Sequence, residues 1–179
     1  MLREALVELF LAEGFTQFGV EDLSSRLRCS KSTLYAIASS KEQLFTAVVL
    51  EFFRRAADRV EERVAAEADP RERLPVYLAG IAAELAPASR AFLDDLTGFA
   101  PARELYARNT AFAARRVAQL VEDLGGAGDP STRAFAGATA ALVMEAIQQG
   151  RVRTLTGLDD ADAYRALADL LVAGVGAPG

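Results

Sequence analysis

The chain has 179 residues, 51% of them hydrophobic, so it can bury a real core without disulfide or metal staples, and disorder is excluded. Its formal net charge is −5, the reverse of the basic surplus usual among nucleic-acid binders; residues 1–60 balance eight basic against eight acidic side chains, and all the excess acid lies in 61–179. Histidine is absent and Cys29 is the single cysteine, which removes histidine-based triads, histidine-ligated zinc or haem, and any internal disulfide.

Hydrophobic spacing is helical nearly throughout, alanine is abundant, and no alternating strand pattern occurs, which predicts an all-α chain of about nine helices. Leu2, Ala5, Leu6, Leu9 and Phe10 share one face of a first helix that Gly14 stops. A short second helix follows Gly19, with Val20, Leu23 and Leu27 inward, and a third starts near Lys31. Ser39 and Ser40 each stand three residues before an acid or amide, Glu42 and Gln43, which is the capping-box spacing. A long helix therefore starts near Lys41 and runs to about Ala68 on a stripe of Leu44, Val48, Phe52, Ala56, Val60 and Val64. Asp69–Pro70 reads as the cap and first turn of the next helix, over about 71–86, where Pro75 is expected to delay or kink it. A short helix over 89–97 ends at Gly98. Pro101 opens a long helix closed by Gly125–Gly126, and Asp129–Pro130 opens another expected to continue to about Thr156. Asp159 or Asp160 caps the last helix, which ends at Gly174 and Gly176. Glu4, Glu8 and Glu13 interrupt any N-terminal signal sequence, and the longest charge-free run, 134–144, is too short to span a bilayer; a cytoplasmic protein is expected.

Residues 20–38 have the shape of a helix-turn-helix, with a tight turn near Arg28–Ser30. Such a unit works because its first helix props the second into the major groove. Leu34 and Ala38, four apart, are placed to pack back on the core, while Lys31, Ser32, Tyr35 and Ala36 lie on the other side. Those four are short or polar, as close approach to bases and phosphates requires.

The stretch Cys29-Ser-Lys-Ser-Thr-Leu-Tyr35, followed by Ser40-Lys-Glu-Gln-Leu44, resembles the DNA-binding head of the TetR family of repressors. The run from Leu9 through Gly14 to Phe15 is similar to that family's first helix and its end. The resemblance covers about residues 2–48. It implies that Ser32, Thr33 and Tyr35 face DNA, that Lys31 and Tyr35 touch backbone or base edges, and that Lys41 holds a phosphate at the start of the fourth helix. Ile37 and Ala38 stand where the family has His or Tyr and then Phe, so one phosphate contact is lost, and Arg28 is the expected substitute. Arg28 itself replaces the family's turn glycine and has to adopt or avoid a left-handed conformation. Phe18 and Gly19 replace a threonine pair, which removes a capping hydroxyl, and either the basic arm that precedes the family's first helix is missing or the sequence starts late.

These observations divide the chain into a DNA-binding domain, 1–46, and a helical ligand-binding and dimerisation domain, 47–179. The resemblance implies an effector pocket in the body, with Phe92, Leu96, Phe99, Tyr106, Phe112 and Met144 as apolar walls and Asn109, Thr139 and Gln148 as orienting polar groups. Small residues Gly137, Ala138, Ala141 and Ala168, beside Leu142, Leu167, Leu171 and Val172, suit a symmetric four-helix dimer interface built from the last two helices. Such a dimer reads half-sites about 34–36 Å apart, so its operator is near-palindromic. The expected protein is a homodimeric repressor released from double-stranded DNA by a small apolar molecule. No enzyme activity, metal or cofactor is expected: no catalytic or nucleotide-binding motif occurs, and Asp94 and Asp95 are helix neighbours that point apart. The alternative, motivated by Ile37, Ala38 and the missing arm, is an all-helical dimeric interaction protein that has lost DNA binding.

Overall fold

A computed structural model describes residues 2–123 and 130–175, and among them the chain forms ten helices and no strand. They are α1 (Leu2–Glu13), α2 (Val20–Arg26), α3 (Lys31–Tyr35), α4 (Lys41–Ala66), α5 (Pro70–Leu85), α6 (Arg90–Gly98), α7 (Ala100–Asp123), α8 (Pro130–Gln148), α9 (Arg151–Thr156) and α10 (Asp160–Val175). No single helix among the described residues is long and apolar enough to cross a membrane.

Most boundaries follow from local capping. The Ser40 hydroxyl accepts the Gln43 N–H at 3.2 Å and opens α4, while the Gln43 side chain accepts the Ser39 hydroxyl at 2.6 Å. Asp69 accepts the Arg71 N–H at 2.9 Å with Pro70 in the first turn of α5. Asp159 accepts the Asp162 N–H at 2.8 Å and opens α10. Gly19 has no side chain with which to cap α2; instead the Asp22 carboxylate, three residues on, accepts the Gly19 N–H at 2.9 Å. Pro75 lies inside α5, which runs through it from Pro70.

The count is ten rather than about nine because the helix expected over 130–156 is two. Gly150 sits in the left-handed region at φ 70° and ends the α8 segment, and the separate α9 is closed by Gly157 at φ 79°. Gly125, Gly126, Asp129 and Gly176, expected as helix ends and a cap, lie outside the described residues, as does the side chain of Val172.

The described residues form two compact units, each built from two stretches of sequence. The first holds residues 2–55 and 87–106, and its core is aromatic. Phe15 lies 5.4 Å from the ring centres of both Phe10 and Phe45 and about 6 Å from those of Phe92 and Phe99. Phe52, Phe53 and Tyr106 extend the cluster. The second unit holds residues 56–86 with 107–123 and 130–175. There α10 packs on α5 and α8, with Leu74, Leu78, Val117, Leu120, Ala140, Met144, Tyr164 and Leu167 buried. Gly80 lets α5 approach Val60 closely, and Gly137 does the same for α8 against Ala118. Three sets of ion pairs tie this unit: Arg59 and Arg63 with the buried Glu84, Arg116 with Glu61, and Arg153 with the buried Asp160.

Candidate nucleic-acid interface

The turn between α2 and α3 closes as a Schellman motif. The Cys29 N–H bonds to the Ser24 carbonyl at 3.1 Å and the Arg28 N–H to the Ser25 carbonyl at 3.3 Å. That motif needs a left-handed residue, and Arg28 occupies the position at φ 50°, where a side chain costs about 1 kcal/mol relative to glycine. The Ser24 hydroxyl donates to the Cys29 carbonyl at 2.5 Å and holds the turn from its inner side.

Ser30 then caps α3 by accepting the Thr33 N–H at 3.1 Å, and its hydroxyl lies 2.6 Å from that of Ser32 and 2.7 Å from that of Thr33. Leu34 is buried and anchors the helix. Lys31, Ser32, Thr33, Tyr35 and Ala36 are all exposed, and Tyr35 keeps 49% of its surface open. Ile37 and Ala38 are half-buried. The residue types expected to read DNA are thus exposed along a short, anchored helix and its C-cap: two hydroxyls, one ammonium, one phenol and one methyl.

The cations around this face differ in their engagement. Lys31 is hydrogen-bonded to Glu21 of α2, which holds the ammonium above the ordinary lysine range and pulls the Glu21 carboxyl below the usual carboxylate range. Arg26 pairs with Glu13 at 2.6 Å and lies 5.0 Å over the Phe18 ring. Arg54 and Arg55 both pair with Glu51. Arg28 and Lys41 are exposed and have no carboxylate partner among the described residues. Lys41 stands at the first position of α4, its ammonium 5.3 Å from the Phe45 ring centre.

The residues expected to line an effector pocket are divided between the two units. Phe92, Leu96 and Tyr106 are buried and Phe99 half-buried in the first unit, among its aromatic rings. In the second unit Met144 is buried, Asn109 and Thr139 are half-buried, and Phe112 is 51% exposed. A solvent-open groove of about 630 Å³ runs between α7 and α8, walled by Ala107, Ala111, Ala114, Ala118, Gly137, Ala138 and Ala141. Of the expected residues only Gln148 borders it, beside Thr110, Arg115, Glu145 and Gln149. Aromatic spacing draws attention away from this alanine-walled feature; the i, i+4 and i+7 repeat of Ala107, Ala111 and Ala114 is its signal. Asp95 is a further residue that sequence reasoning missed. It contacts the α1–α2 turn from about 80 positions away, and no local pattern announces that.

A family model for bacterial regulatory proteins of the tetR family matches residues 2–48. No curated protein sequence matches the chain significantly. Among solved structures, the chain resembles the TetR family transcriptional regulator PfmR from Thermus thermophilus, with 22% identity, 96% of this chain and 97% of that one covered, and a TM-score of 0.58. It also resembles the transcriptional regulator FadR from Bacillus subtilis in complex with stearoyl-CoA, at 15% identity, 97% coverage of both chains and a TM-score of 0.65. A third is a TerR/AcrR family regulator from Aquifex aeolicus VF5, at 22% identity, 95% coverage of both and a TM-score of 0.59. At these identities the likeness is one of fold.

Proposed function

We propose that the chain, whose residues 2–48 match the family model of bacterial regulatory proteins of the tetR family, is a member of that family and a homodimeric, ligand-responsive repressor that reads a near-palindromic operator. The observation that carries this reading is the exposed face of α3, where Lys31, Ser32, Thr33, Tyr35 and Ala36 stand clear of the core while Leu34 anchors the helix from behind. Ser32, Thr33, Tyr35 and Ala36 reach base edges and sugar; Lys31, Arg28 and Lys41 neutralise phosphates. The arginines of α4 stay with their carboxylates and leave DNA alone.

Dimerisation draws support from apolar side chains left in solvent: Phe135 and Leu142 on α8 and Leu170 on α10 are each about two-thirds or more exposed. A second copy covering these residues gives a closed two-fold assembly and places two heads on one duplex. The effector enters the second unit, where the α7–α8 groove offers apolar walls and, through Gln148, one of the polar groups expected to orient a ligand. The effector needs only to prefer the released state; a hundredfold preference corresponds to about 2.7 kcal/mol of coupling.

The test is selection of DNA from a random-sequence pool by the full chain, then fluorescence anisotropy with the selected duplex over a salt series, for wild type and Tyr35→Ala. Operator affinity that falls linearly with salt on logarithmic axes, and that collapses in the variant, is the expected result. No enrichment from the pool, or binding that Tyr35→Ala leaves unchanged, would falsify the reading.

A further inference from the structure

The α1–α2 turn is held by a side chain from outside the contiguous head. Asp95 of α6 accepts three hydrogen bonds from it. Its Oδ2 takes the backbone N–H groups of Phe15 at 2.5 Å and Thr16 at 2.9 Å, and its Oδ1 takes the Thr16 hydroxyl at 2.5 Å. Six residues earlier the Ser89 N–H donates to the Leu11 carbonyl at 2.7 Å, so the α6 segment is tied both to α1 and to the turn that follows it. Between those ties the Phe92 ring meets Phe15 edge-on. Gly14 precedes the clamped amides at φ +80°, and a Cβ there would stand 2.7 Å from Asp95 Oδ2 and 3.1 Å from the Ala91 Cβ. The backbone has therefore closed on the carboxylate to a distance that only glycine allows. Helix α2 begins four residues after Thr16, and α3 packs on α2.

We propose that Asp95 is a positioning residue for DNA recognition: its carboxylate fixes the α1–α2 turn and, through α2, the orientation of the reading helix α3. The proposal rests on the DNA-reading function proposed above. It makes α6 part of the DNA-binding machinery although none of the residues assigned to DNA contact lies on α6.

Electrostatics makes the proposal easy to overturn, because the sign of the effect is opposite for the competing role. If Asp95 acted only as a negative charge near a polyanion, its removal would strengthen binding. A positioning group weakens binding when removed. The conservative variant is informative too. In Asp95→Asn the amide oxygen replaces Oδ2 and accepts both N–H groups, and the new NH2 donates to the Thr16 oxygen, which accepts as readily as it donates. Three neutral bonds then replace charge-assisted ones roughly twice as strong. Asp95→Ala removes all three.

The experiment uses full-length protein and a duplex selected by wild type, with anisotropy read over a salt series at a temperature well below every variant's melting midpoint. Hydrogen exchange of the Phe15 and Thr16 amides is followed in the free protein. The expected order of affinity is wild type, then Asp95→Asn, then Asp95→Ala, with a loss of about tenfold for Ala and about twofold for Asn. The salt slope stays the same, because the phosphate contacts are unchanged in number. The two amides exchange faster in the same order while the remaining helices keep their protection. Thr16→Val, which removes one bond and no charge, loses less than Asp95→Ala and adds nothing to it in the double variant; with Asp95→Asn it carries the test if the alanine variant does not fold. Unchanged or tighter binding by the variants, or a loss that appears only as they melt, overturns the proposal. If wild type selects no DNA, the functional reading fails and this proposal with it; if wild type binds and the Asp95 variants bind equally well, only the positioning role is lost.

Discussion

The two units of this chain solve packing in different ways. The first brings at least eight aromatic rings into one cluster, and Phe15 alone touches four of them. The second brings helices together through Gly80, Gly137 and alanines, adds ion pairs across its helices, and leaves Phe112, Phe135, Leu142 and Leu170 in solvent. Interlocked rings have few alternative arrangements, which suits a unit that must hold a five-residue reading helix in one orientation. Helices packed through small residues leave shallow, alanine-walled surfaces and exposed apolar side chains, which suits the ligand and second copy proposed for this unit.

The contrast is broken most severely by removing a ring. Phe15→Ala is expected to cost about 3–5 kcal/mol in urea denaturation, because the side chain is fully buried and its four partners cannot all collapse into the space. The second unit is instead sensitive to addition: Gly137→Leu, where even a Cβ would meet the Ala118 Cβ at 3.2 Å, is expected to cost about 1–3 kcal/mol by overpacking. If Phe15→Ala proved the milder of the two, the difference drawn between the units would be wrong.

The exposed apolar residues give the next test. Phe135→Glu with Leu142→Glu is expected to convert a dimer to a folded monomer in sedimentation velocity, with circular dichroism unchanged, since both side chains are already in solvent within one chain. A variant that remains dimeric would move the interface elsewhere.

Alkaline pH separates the units more gently. Burial pushes the Tyr77 and Tyr164 hydroxyls, both in the second unit, far above the ordinary tyrosine range. The unfolded chain releases these protons near about pH 10 and the folded chain retains them. Their contribution is therefore complete below that pH and is lost above it, at up to about 1.4 kcal/mol per pH unit for each tyrosine. Tyr164→Phe should flatten the fall in urea midpoint between about pH 9 and about pH 11; a fall of unchanged steepness would assign it to other groups.

The smallest effect concerns the reading face itself. Glu21→Gln frees Lys31 from its carboxylate, and operator affinity at low salt is expected to rise about two- to threefold with a salt slope steeper by up to about one unit. Unchanged affinity and slope would show that Lys31 already leaves Glu21 at no cost when DNA arrives.

What the sequence determined by itself was local. Ser40 with Gln43, Asp69 with Pro70, and the α4 stripe through Leu44, Val48, Phe52, Val60 and Val64 follow from interactions within one or two helical turns, as does the two-faced α3 with Leu34 inward. Gly150 carries the same kind of signal, a left-handed helix stop, but the residues on either side of it keep helical spacing and mask the break. Only the tertiary structure decided which apolar faces cover one another. It placed Phe92 and Phe99 against Phe15, built the groove from alanines, and set Asp95 on the amides of Phe15 and Thr16. Periodicity reports that a helix has an apolar face and local chemistry reports where it starts. Neither encodes the partner of that face, because burial is non-directional and many pairings satisfy it until the whole chain closes.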